Sequence, residues 1–372
     1  MEENWKKFLQ NSIRDIQGLS EYVTLTEDES SQMAQIIERY PLCVNSYYLG
    51  LININDVNDP IRKMCIPQIS EFSEGGQTDT SGEMVNTVIQ GMQHKYKQTA
   101  LILSTNQCAM YCRHCFRKRM VGASSEEVAK QLPVMADYVR SHKEINNVLI
   151  SGGDSFMNSN EMIEQYLRYF SVIPNLDFIR FGTRIPVVLP QRITQDDELL
   201  RILETYCEKK QIMIVTQYNH PRELTPDSVK AIKMLRDVGC IIRNQTVLLK
   251  GVNDNSKVIA DLMNRLVSCG VIPYYIFQCR PVEGVKNQFQ VPLLVGSEIV
   301  EEAKKYMNGQ AKSVRFVLSH PTGKIEILGK DEQNNMLFKY HQAKYECDNS
   351  RIFKAQMKEE QCWLDEEVKN TL

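Results

Sequence analysis

The middle of the chain alternates between short apolar runs and longer amphipathic stretches. The short runs are rich in β-branched and aromatic residues, which is typical of strands, and the stretches between them repeat apolar positions with the period of a helix. In the stretch 254–270, for example, we expect Asp254 or Ser256 to cap a helix that Gly270 ends. The predicted strands are TALILST (99–105), NNVLISG (146–152), DFIRFGT (177–183), IMIVTQY (212–218), CIIRNQTVLL (240–249) and IPYYIFQC (272–279).

Strands that alternate with helices form right-handed βαβ units, so this pattern predicts a parallel sheet. The periodicity leaves open whether the sheet closes. We divide the chain into an N-terminal helical region with a linker at 1–95, a strand–helix core at 96–290 and a C-terminal segment at 291–372. The Gly-, Ser- and Thr-rich stretch 73–84 is the predicted linker, and the polar end of the chain is predicted to be helical.

Charge and composition narrow the class of protein. The 372 residues carry 44 Lys and Arg against 46 Asp and Glu, and a net charge of −2 gives no overall field for a polyanion. Nucleic acid and membranes are therefore not expected as partners. No apolar stretch reaches the ~18 residues of a membrane helix and the first residues do not resemble a signal peptide, so we predict a cytoplasmic protein. Most of the 11 cysteines are scattered and are expected to be buried hydrophobic residues.

Three cysteines are not scattered. Cys108, Cys112 and Cys115 directly follow the first predicted strand, at the end where parallel sheets place their ligand sites. A structural zinc ion needs four ligands, and His114 lies between two of the cysteines, where its ring is not expected to converge with both. Three thiolates instead suit a 4Fe–4S cluster with one open iron. Zinc binding, or a chance group of buried cysteines, are the alternatives.

The cysteine spacing resembles that of the radical S-adenosylmethionine (SAM) enzymes. In that superfamily the open iron binds SAM, and one-electron reduction releases a 5′-deoxyadenosyl radical. The sequence LISGGD, at the end of the second predicted strand, resembles the superfamily's glycine-rich turn. The resemblance implies that Gly152, Gly153 and Asp154 meet the methionine ammonium of SAM and that His114 lies beside its adenine.

A closer resemblance covers about residues 55 to 330. It is to the lysine 2,3-aminomutase family, and the motifs that carry it are TNQCAMYCRHCFRKRMVG, VLISGGD, GTRIPVVLPQRIT, YNHPRELT, NQTVLLKGVND and PYYIFQC. The resemblance implies an α/β fold with a partial (β/α)6 TIM-type barrel, open at one side, between an N-terminal helical region and a C-terminal extension. It also implies a homo-oligomer.

The family pairs the cluster with pyridoxal 5′-phosphate, held as a Schiff base by a lysine. The matching catalytic position is Lys324, in SHPTGKIEILG, and the alternative is a surface lysine after a turn. Arg117 matches the arginine that binds the substrate α-carboxylate, as a planar guanidinium suits it. Gln245 and Arg184 match polar contacts to the cofactors. A separate group of cations is expected to face either the cofactor phosphate or solvent: Arg113, Lys118 and Arg119.

The implied activity is an isomerase reaction, in which an amino group moves from C2 to C3 of an amino acid. The deoxyadenosyl radical removes hydrogen from C3 and finally returns hydrogen to C2. The implied partners are a small amino-acid substrate and an external one-electron reductant of the flavodoxin or ferredoxin type.

The sequence departs from lysine-specific members at two substrate positions. Arg280 stands where the family has an aspartate for the substrate's distal ammonium, and Ser319 or His320 stands at the second aspartate position. At 4 Å and an effective dielectric of ~20, a like-charged pair costs about 4 kcal/mol, so lysine should be rejected. We therefore predict glutamate or a related acidic substrate, unless Arg280 pairs with a protein carboxylate such as Glu283.

Three other functions remain as alternatives. The same reaction could act on lysine, a neutral amino acid or another amino acid, the enzyme could modify a lysyl residue of a translation factor, or the protein could bind a metal without catalysis. No structural zinc is predicted, since Asn255 occupies a position where a lysine-specific member can carry cysteine, and Cys347 and Cys362 lack partners.

Overall fold

The computed structural model describes residues 5–333 and 335–364 of the chain. Within these residues, the strands form one sheet whose spatial order is the order of the sequence. The strands are β1 (Thr87–Ile89), β2 (Met92–Tyr96), β3 (Thr99–Thr105), β4 (Asn147–Gly152), β5 (Phe178–Gly182), β6 (Gln211–Thr216), β7 (Ile241–Leu248), β8 (Ile272–Gln278), β9 (Arg315–His320), β10 (Gly323–Lys330), β11 (Met336–Ala343) and β12 (Ile352–Ala355).

Helices cover the sheet and connect its strands. Five short or medium helices precede the sheet, and the other nine helices of the described residues lie between successive parallel strands. They are α1 (Lys6–Gln10), α2 (Ile16–Ser20), α3 (Glu27–Arg39), α4 (Ser46–Leu49), α5 (Pro60–Cys65), α6 (Leu132–Ser141), α7 (Asn160–Ser171), α8 (Ile185–Val188), α9 (Gln191–Thr194), α10 (Asp197–Cys207), α11 (Pro226–Asp237), α12 (Ser256–Ser268), α13 (Lys286–Phe289) and α14 (Leu293–Tyr306). No helix of the described residues is both long and apolar enough to cross a bilayer.

The parallel part of the sheet runs from β3 to β9, with every neighbouring pair parallel. Antiparallel strands extend it on both sides, β1 and β2 before β3 and β10 to β12 after β9. The linear order, with β1 and β12 at the edges, makes a partial barrel that is open at one side. The predicted fold class is therefore confirmed, and β9 adds a seventh parallel strand to the six that were predicted.

The strands have two different faces. In β7 burial alternates along the strand, so that Ile242 and Leu248 pack under the helices while Gln245 and Val247 face the barrel interior. A polar residue on the interior face is thus aimed at the space that the barrel encloses. This arrangement explains why the interior can hold a polar site inside an apolar scaffold.

The cap of α12 differs from the prediction. Asn255, in an extended conformation, accepts hydrogen bonds from the amides of Lys257 and Val258, so neither Asp254 nor Ser256 is the cap. The Asp254 carboxylate instead accepts from the Gly251 amide at 2.9 Å. Gly270, with a φ of 78°, follows the helix as predicted.

The C-terminal tail also differs from the prediction. We expected this polar tail to be helical, but residues 336–343 and 352–355 form antiparallel strands. In β11 the buried Met336, Phe338 and Tyr340 alternate with more exposed residues. A strand with one solvent-facing side is polar at every second position, and this period of two was missed.

Candidate active site

A cavity of about 460 Å³ lies inside the partial barrel, and most of the residues that the sequence singled out for a site line it, whereas Arg113, Lys118, Arg119 and His320 do not. The cavity extends from the loop after β3 to the β9–β10 hairpin. The predicted residues along its wall are Cys108, Cys112, His114, Cys115, Arg117, Gly152, Gly153, Asp154, Arg184, Gln245, Arg280, Ser319 and Lys324.

The cysteine loop is held from outside the barrel by the N-terminal region. The Tyr111 amide donates to the Cys43 carbonyl at 2.9 Å, and the Arg113 amide donates to the Met64 carbonyl at 2.8 Å. The Asn45 side chain donates to the Ala109 carbonyl at 3.0 Å. These bonds satisfy the loop's buried backbone and set the direction in which its cysteines point.

The three thiols suit an iron–sulfur cluster. Burial raises the pKa of the Cys108 thiol and raises that of Cys115 to about 11, with further contributions from neighbouring thiols. Metal binding must therefore release their protons. Among the described residues no three Cys, His, Asp or Glu side chains converge as a single ion would require. In a 4Fe–4S cluster each thiolate binds a different iron, so the donor set fits that group.

The glycine turn packs directly against the cysteine loop. A Cβ on Gly152 would lie 2.3 Å from the Thr105 carbonyl oxygen, and one on Gly153 would lie 2.3 Å from that of Gln107. The Gly153 amide donates to the Thr105 carbonyl at 2.6 Å. Only glycine allows this approach, which keeps the end of β4 beside the cysteines.

Asp154 and Arg184 connect this turn to the cysteines. The Asp154 carboxylate accepts from the Arg184 amide at 2.7 Å, and burial raises its pKa. The Arg184 guanidinium donates to Cys112 Sγ at 2.6 Å and to Glu223 Oε1 at 2.6 Å. Against the effect of burial, Cys112 and Glu223 hold the pKa of Arg184 above its usual value. Arg184 therefore presents a fixed positive charge to a predicted cluster ligand.

His114 is buried and neutral. Its Nε2 accepts from the side-chain amides of Gln217 at 3.3 Å and Asn219 at 3.2 Å. Burial, followed by the charges of Arg184 and Lys118, lowers its pKa well below the usual value. Its Nδ1 has no hydrogen-bond partner within the described part of the chain.

Arg113 and Lys118 are buried in ion pairs, contrary to the prediction that they face a phosphate or solvent, and Arg119 is also paired. The buried carboxylate of Glu71 binds Arg113 at 2.5 Å and Lys118 Nζ at 2.5 Å. Arg119 binds Glu83 and Glu127, each at 2.7 Å. The sequence could not indicate these partners because Glu71 and Glu83 lie more than 30 residues away along the chain.

Arg117 lies on the cavity wall with part of its guanidinium occupied. Its Nε donates to Glu83 Oε1 at 2.8 Å, and its Nη1 donates to Ser151 Oγ and the Gly152 carbonyl, each at 3.2 Å. Burial opposes ionisation of Glu83, but Arg117 and Arg119 lower its pKa to about 2. Arg117 is thus held in one orientation at the end of β4.

Arg280 faces the cavity without a carboxylate partner among the described residues. Glu283, the alternative partner, instead binds Arg39 at 2.5 Å. The Arg280 guanidinium donates to the hydroxyls of Ser81 and Ser319, the latter at 2.6 Å. Burial lowers its pKa to about 10. Both hydroxyls orient the cation without neutralising it.

Lys324 is the second residue of β10, directly opposite Ser319 of β9 in the strand pairing. Its ammonium lies 5.1 Å from the ring centroid of Tyr275 and 5.6 Å from that of Tyr96. Burial, followed by the charges of Arg180 and Arg280, lowers its pKa to about 7. The position is that of a buried amine in the cavity, and the surface-lysine alternative is wrong.

Four further cavity residues were missed by the sequence analysis. Lys95 donates to the Ser81 and His320 carbonyls at 3.2 and 2.9 Å, and burial lowers its pKa to about 7. Arg180 faces the interior from β5. It is a charged residue between the buried Ile179 and Phe181, and this pattern in the sequence could have identified it. Ser81 and Glu83 lie in the predicted linker 73–84, and its composition gave no sign of a cavity wall.

Several buried polar atoms of the cavity have no partner within the part of the chain that the structure describes. Such atoms are costly unless a ligand or water satisfies them. They are Gln93 Nε2, His114 Nδ1, Arg180 Nε, Thr216 Oγ1 and Gln278 Oε1. The side chains that carry these atoms line the cavity beside charged residues such as Arg117, Arg280 and Lys324, so its wall favours a ligand with polar or charged groups.

Comparison with known proteins agrees with this site. Residues 102–263, which span β3 to α12, match the family model described as the radical SAM superfamily. A protein of Aquifex aeolicus that is provisionally named L-lysine 2,3-aminomutase is 37% identical over 92% of this chain and 91% of its own length. The L-lysine 2,3-aminomutase of Clostridium subterminale is 36% identical over 86% of this chain and 76% of its own. The glutamate 2,3-aminomutase of Clostridioides difficile is 35% identical over 87% of this chain and 76% of its own.

The chain therefore belongs to the lysine 2,3-aminomutase family of radical SAM enzymes. Membership implies a 4Fe–4S cluster and SAM, and Cys108, Cys112 and Cys115 are the thiols available to hold the cluster.

Proposed function

We propose that the protein is a pyridoxal-phosphate-dependent 2,3-aminomutase that moves the amino group of an acidic amino acid, such as glutamate, from C2 to C3. When bound, the cluster and SAM supply a hydrogen-abstracting radical, and pyridoxal phosphate supplies the group through which nitrogen changes carbon. An external reductant of the flavodoxin or ferredoxin type supplies the electron.

Lys324 supports the cofactor assignment. A lysine that attaches an aldehyde covalently must be neutral part of the time, and a pKa of about 7 gives this near neutral pH. Arg180, whose charge acts on Lys324 and whose Nε lacks a partner within the described residues, is our candidate for binding the cofactor phosphate. Gln245 faces the same interior from β7.

Arg117 and Arg280 support the substrate class. We assign Arg117 to the α-carboxylate, and its position beside the glycine turn supports this. Arg280 carries the assignment to an acidic substrate, because it is a cation that faces the cavity with only hydroxyl partners. Lys95, whose amine is charged part of the time, lines the same wall, so a substrate with a distal ammonium would meet repulsion from Arg280 and from the charged form of Lys95.

A substrate screen with Arg280 variants tests the proposal. The anaerobically reconstituted protein, with SAM and reductant, should convert glutamate and not lysine to a β-amino product that chromatography detects. Arg280→Asp should lower kcat/KM for glutamate by at least a hundredfold. Arg280→Lys keeps the charge and should lower kcat/KM for glutamate by a smaller factor. Turnover of lysine in preference to glutamate by the unaltered protein would overturn the assignment.

A further inference from the structure

The ring of Phe116 lies against two arginines at once. The Cζ atom of Arg117 is 4.6 Å from the ring centroid, and that of Arg280 is 4.4 Å from the same centroid. The two guanidinium carbons are therefore no more than 9.0 Å apart. Two cations this close repel each other, and the negative face of an aromatic ring offsets part of that repulsion.

One segment fixes both arginines from the side. Residues 79–83 place the Ser81 hydroxyl on Arg280 and the Glu83 carboxylate on Arg117. The segment is itself braced, because the Asp79 carboxylate accepts from the amides of Ser81 and Glu83 at 3.1 and 3.0 Å. The two guanidinium groups are thus held at a set separation and not on independent flexible side chains.

Both arginines keep donors for a ligand. Within the described residues, Arg117 Nη2 and Arg280 Nε make no hydrogen bond, and both side chains line the cavity together with the Phe116 ring. A molecule with one carboxylate at each end can therefore contact both cations across the ring.

We propose that Phe116 is a specificity-determining residue, whose ring spaces Arg117 and Arg280 as the two ends of a clamp for an amino acid with two carboxylates. This inference rests on the proposed function and specifies, in addition, the carbon-chain length of the substrate. The clamp admits the five-carbon acid glutamate and discriminates at least tenfold in kcat/KM against aspartate and 2-aminoadipate, which are one carbon shorter and longer.

The test compares Phe116→Leu with Phe116→Tyr in the holoenzyme. Leucine keeps apolar bulk without a flat face, so the glutamate preference over aspartate and 2-aminoadipate should fall at least fivefold. Tyrosine keeps the ring and should keep the preference. Iron content and bound pyridoxal phosphate, measured for each variant, check that the neighbouring Cys115 still holds its cluster. An unchanged preference in Phe116→Leu would overturn the role of Phe116.

A binding measurement on the unaltered holoenzyme covers the case in which Phe116→Leu does not fold. The thermal shifts produced by succinate, glutarate, adipate and pimelate should be largest for glutarate, which has the carboxylate spacing of glutamate, and a maximum at another length would overturn the assigned chain length. Equal shifts for all four acids would overturn the clamp. If no acidic amino acid is turned over but a length optimum is found, the proposed reaction fails and the clamp stands.

Discussion

Lys324, the proposed cofactor lysine, shows how a single residue's environment sets its pKa. The motif identified the lysine from the sequence alone, but its low pKa comes from burial and from Arg180, which lies on a strand far away in the sequence. Arg280 was likewise noticed because it breaks a family pattern, whereas its two serine partners were not predictable. The sequence thus indicated which residues to consider, but it did not indicate which groups surround them in the fold.

We expect attachment of pyridoxal phosphate to Lys324 to depend on pH with a midpoint near 7. The lowered pKa means that the amine is mostly charged below pH 7 and mostly neutral above it. The rate of attachment should rise about tenfold from pH 6 to pH 8, following the neutral fraction. Borohydride trapping at each pH, followed by peptide mass spectrometry, measures the rate of attachment. Lys324→Ala should give no labelled peptide, and a midpoint above pH 9 would contradict the prediction.

Arg184 should raise the reduction potential of the cluster. Its guanidinium donates to Cys112, and a positive hydrogen-bond donor stabilises the more negative, reduced cluster. Removing a donor worth about 1.4 kcal/mol should lower a one-electron potential by ~60 mV. We expect this direction and size for Arg184→Gln in a potentiometric titration followed by electron paramagnetic resonance. Arg201→Gln, which changes an exposed arginine of α10, is the matched control and should leave the potential unchanged.

At the scale of elements, the strand–helix core was predictable and the connecting segments were not. The six strands were predictable from local apolar periodicity. Each strand has one side buried under helices and one side facing the barrel interior, and this burial requires the pattern. The segment 73–84 was predicted to be a linker, since its Gly and Ser content gives no apolar period. Its place in the cavity wall depends on long-range partners such as Arg117 and Arg280.

Asp79→Ala should loosen the cavity wall. The change removes the acceptor for the amides of Ser81, Glu83 and Met84, at a cost of about 1 to 3 kcal/mol in the free energy of unfolding. Because this turn places the partners of both arginines, KM for the amino acid should rise several-fold more than kcat falls. Steady-state kinetics and denaturant unfolding measure the two effects.

Asp331→Ala is the matched control for that prediction. Asp331 also accepts from two amides of its own turn, those of Gln333 at 2.9 Å and Asn335 at 2.8 Å, but it does not line the cavity. Asp331→Ala should lower the free energy of unfolding and leave KM for the amino acid unchanged. Equal effects of the two variants on KM would mean that Asp79 acts only on stability.

At the scale of the whole molecule, the N-terminal region and the barrel share one core. Buried residues from Leu19 to Cys65 pack in the same cluster as those of β3 to β10. The boundary at residue 95 came from a change in sequence pattern and stays a prediction. The pattern could not reveal that the first 72 residues hold the cysteine loop, since those contacts join buried backbone groups that carry no sequence signal.

Glu71 links these two parts through buried ion pairs. It belongs to the N-terminal region, it is 1% exposed, and it binds Arg113 and Lys118 beside the cysteines. Replacing one member of a buried ion pair leaves an unpaired charge, so Glu71→Gln should cost about 3 to 5 kcal/mol in the free energy of unfolding. The loosened loop should also retain less iron after gel filtration. Glu283→Gln, which breaks the exposed pair with Arg39, should cost no more than about 1 kcal/mol and leave iron unchanged.

The cost of Glu71→Gln should itself depend on pH. Burial opposes ionisation of Glu71, but Arg113 and Lys118 together hold its pKa below the usual value. A group whose pKa is lowered by folding stabilises the protein above its unfolded pKa of about 4.3, and this contribution is lost as the pH falls through the folded pKa. The difference in the free energy of unfolding between wild type and variant should therefore be largest at pH 7 and become smaller in acid. Urea unfolding from pH 7 to pH 3 would measure it. A difference that grows in acid would mean that Glu71 is protonated in the native protein and that the link to the cysteine loop is not ionic.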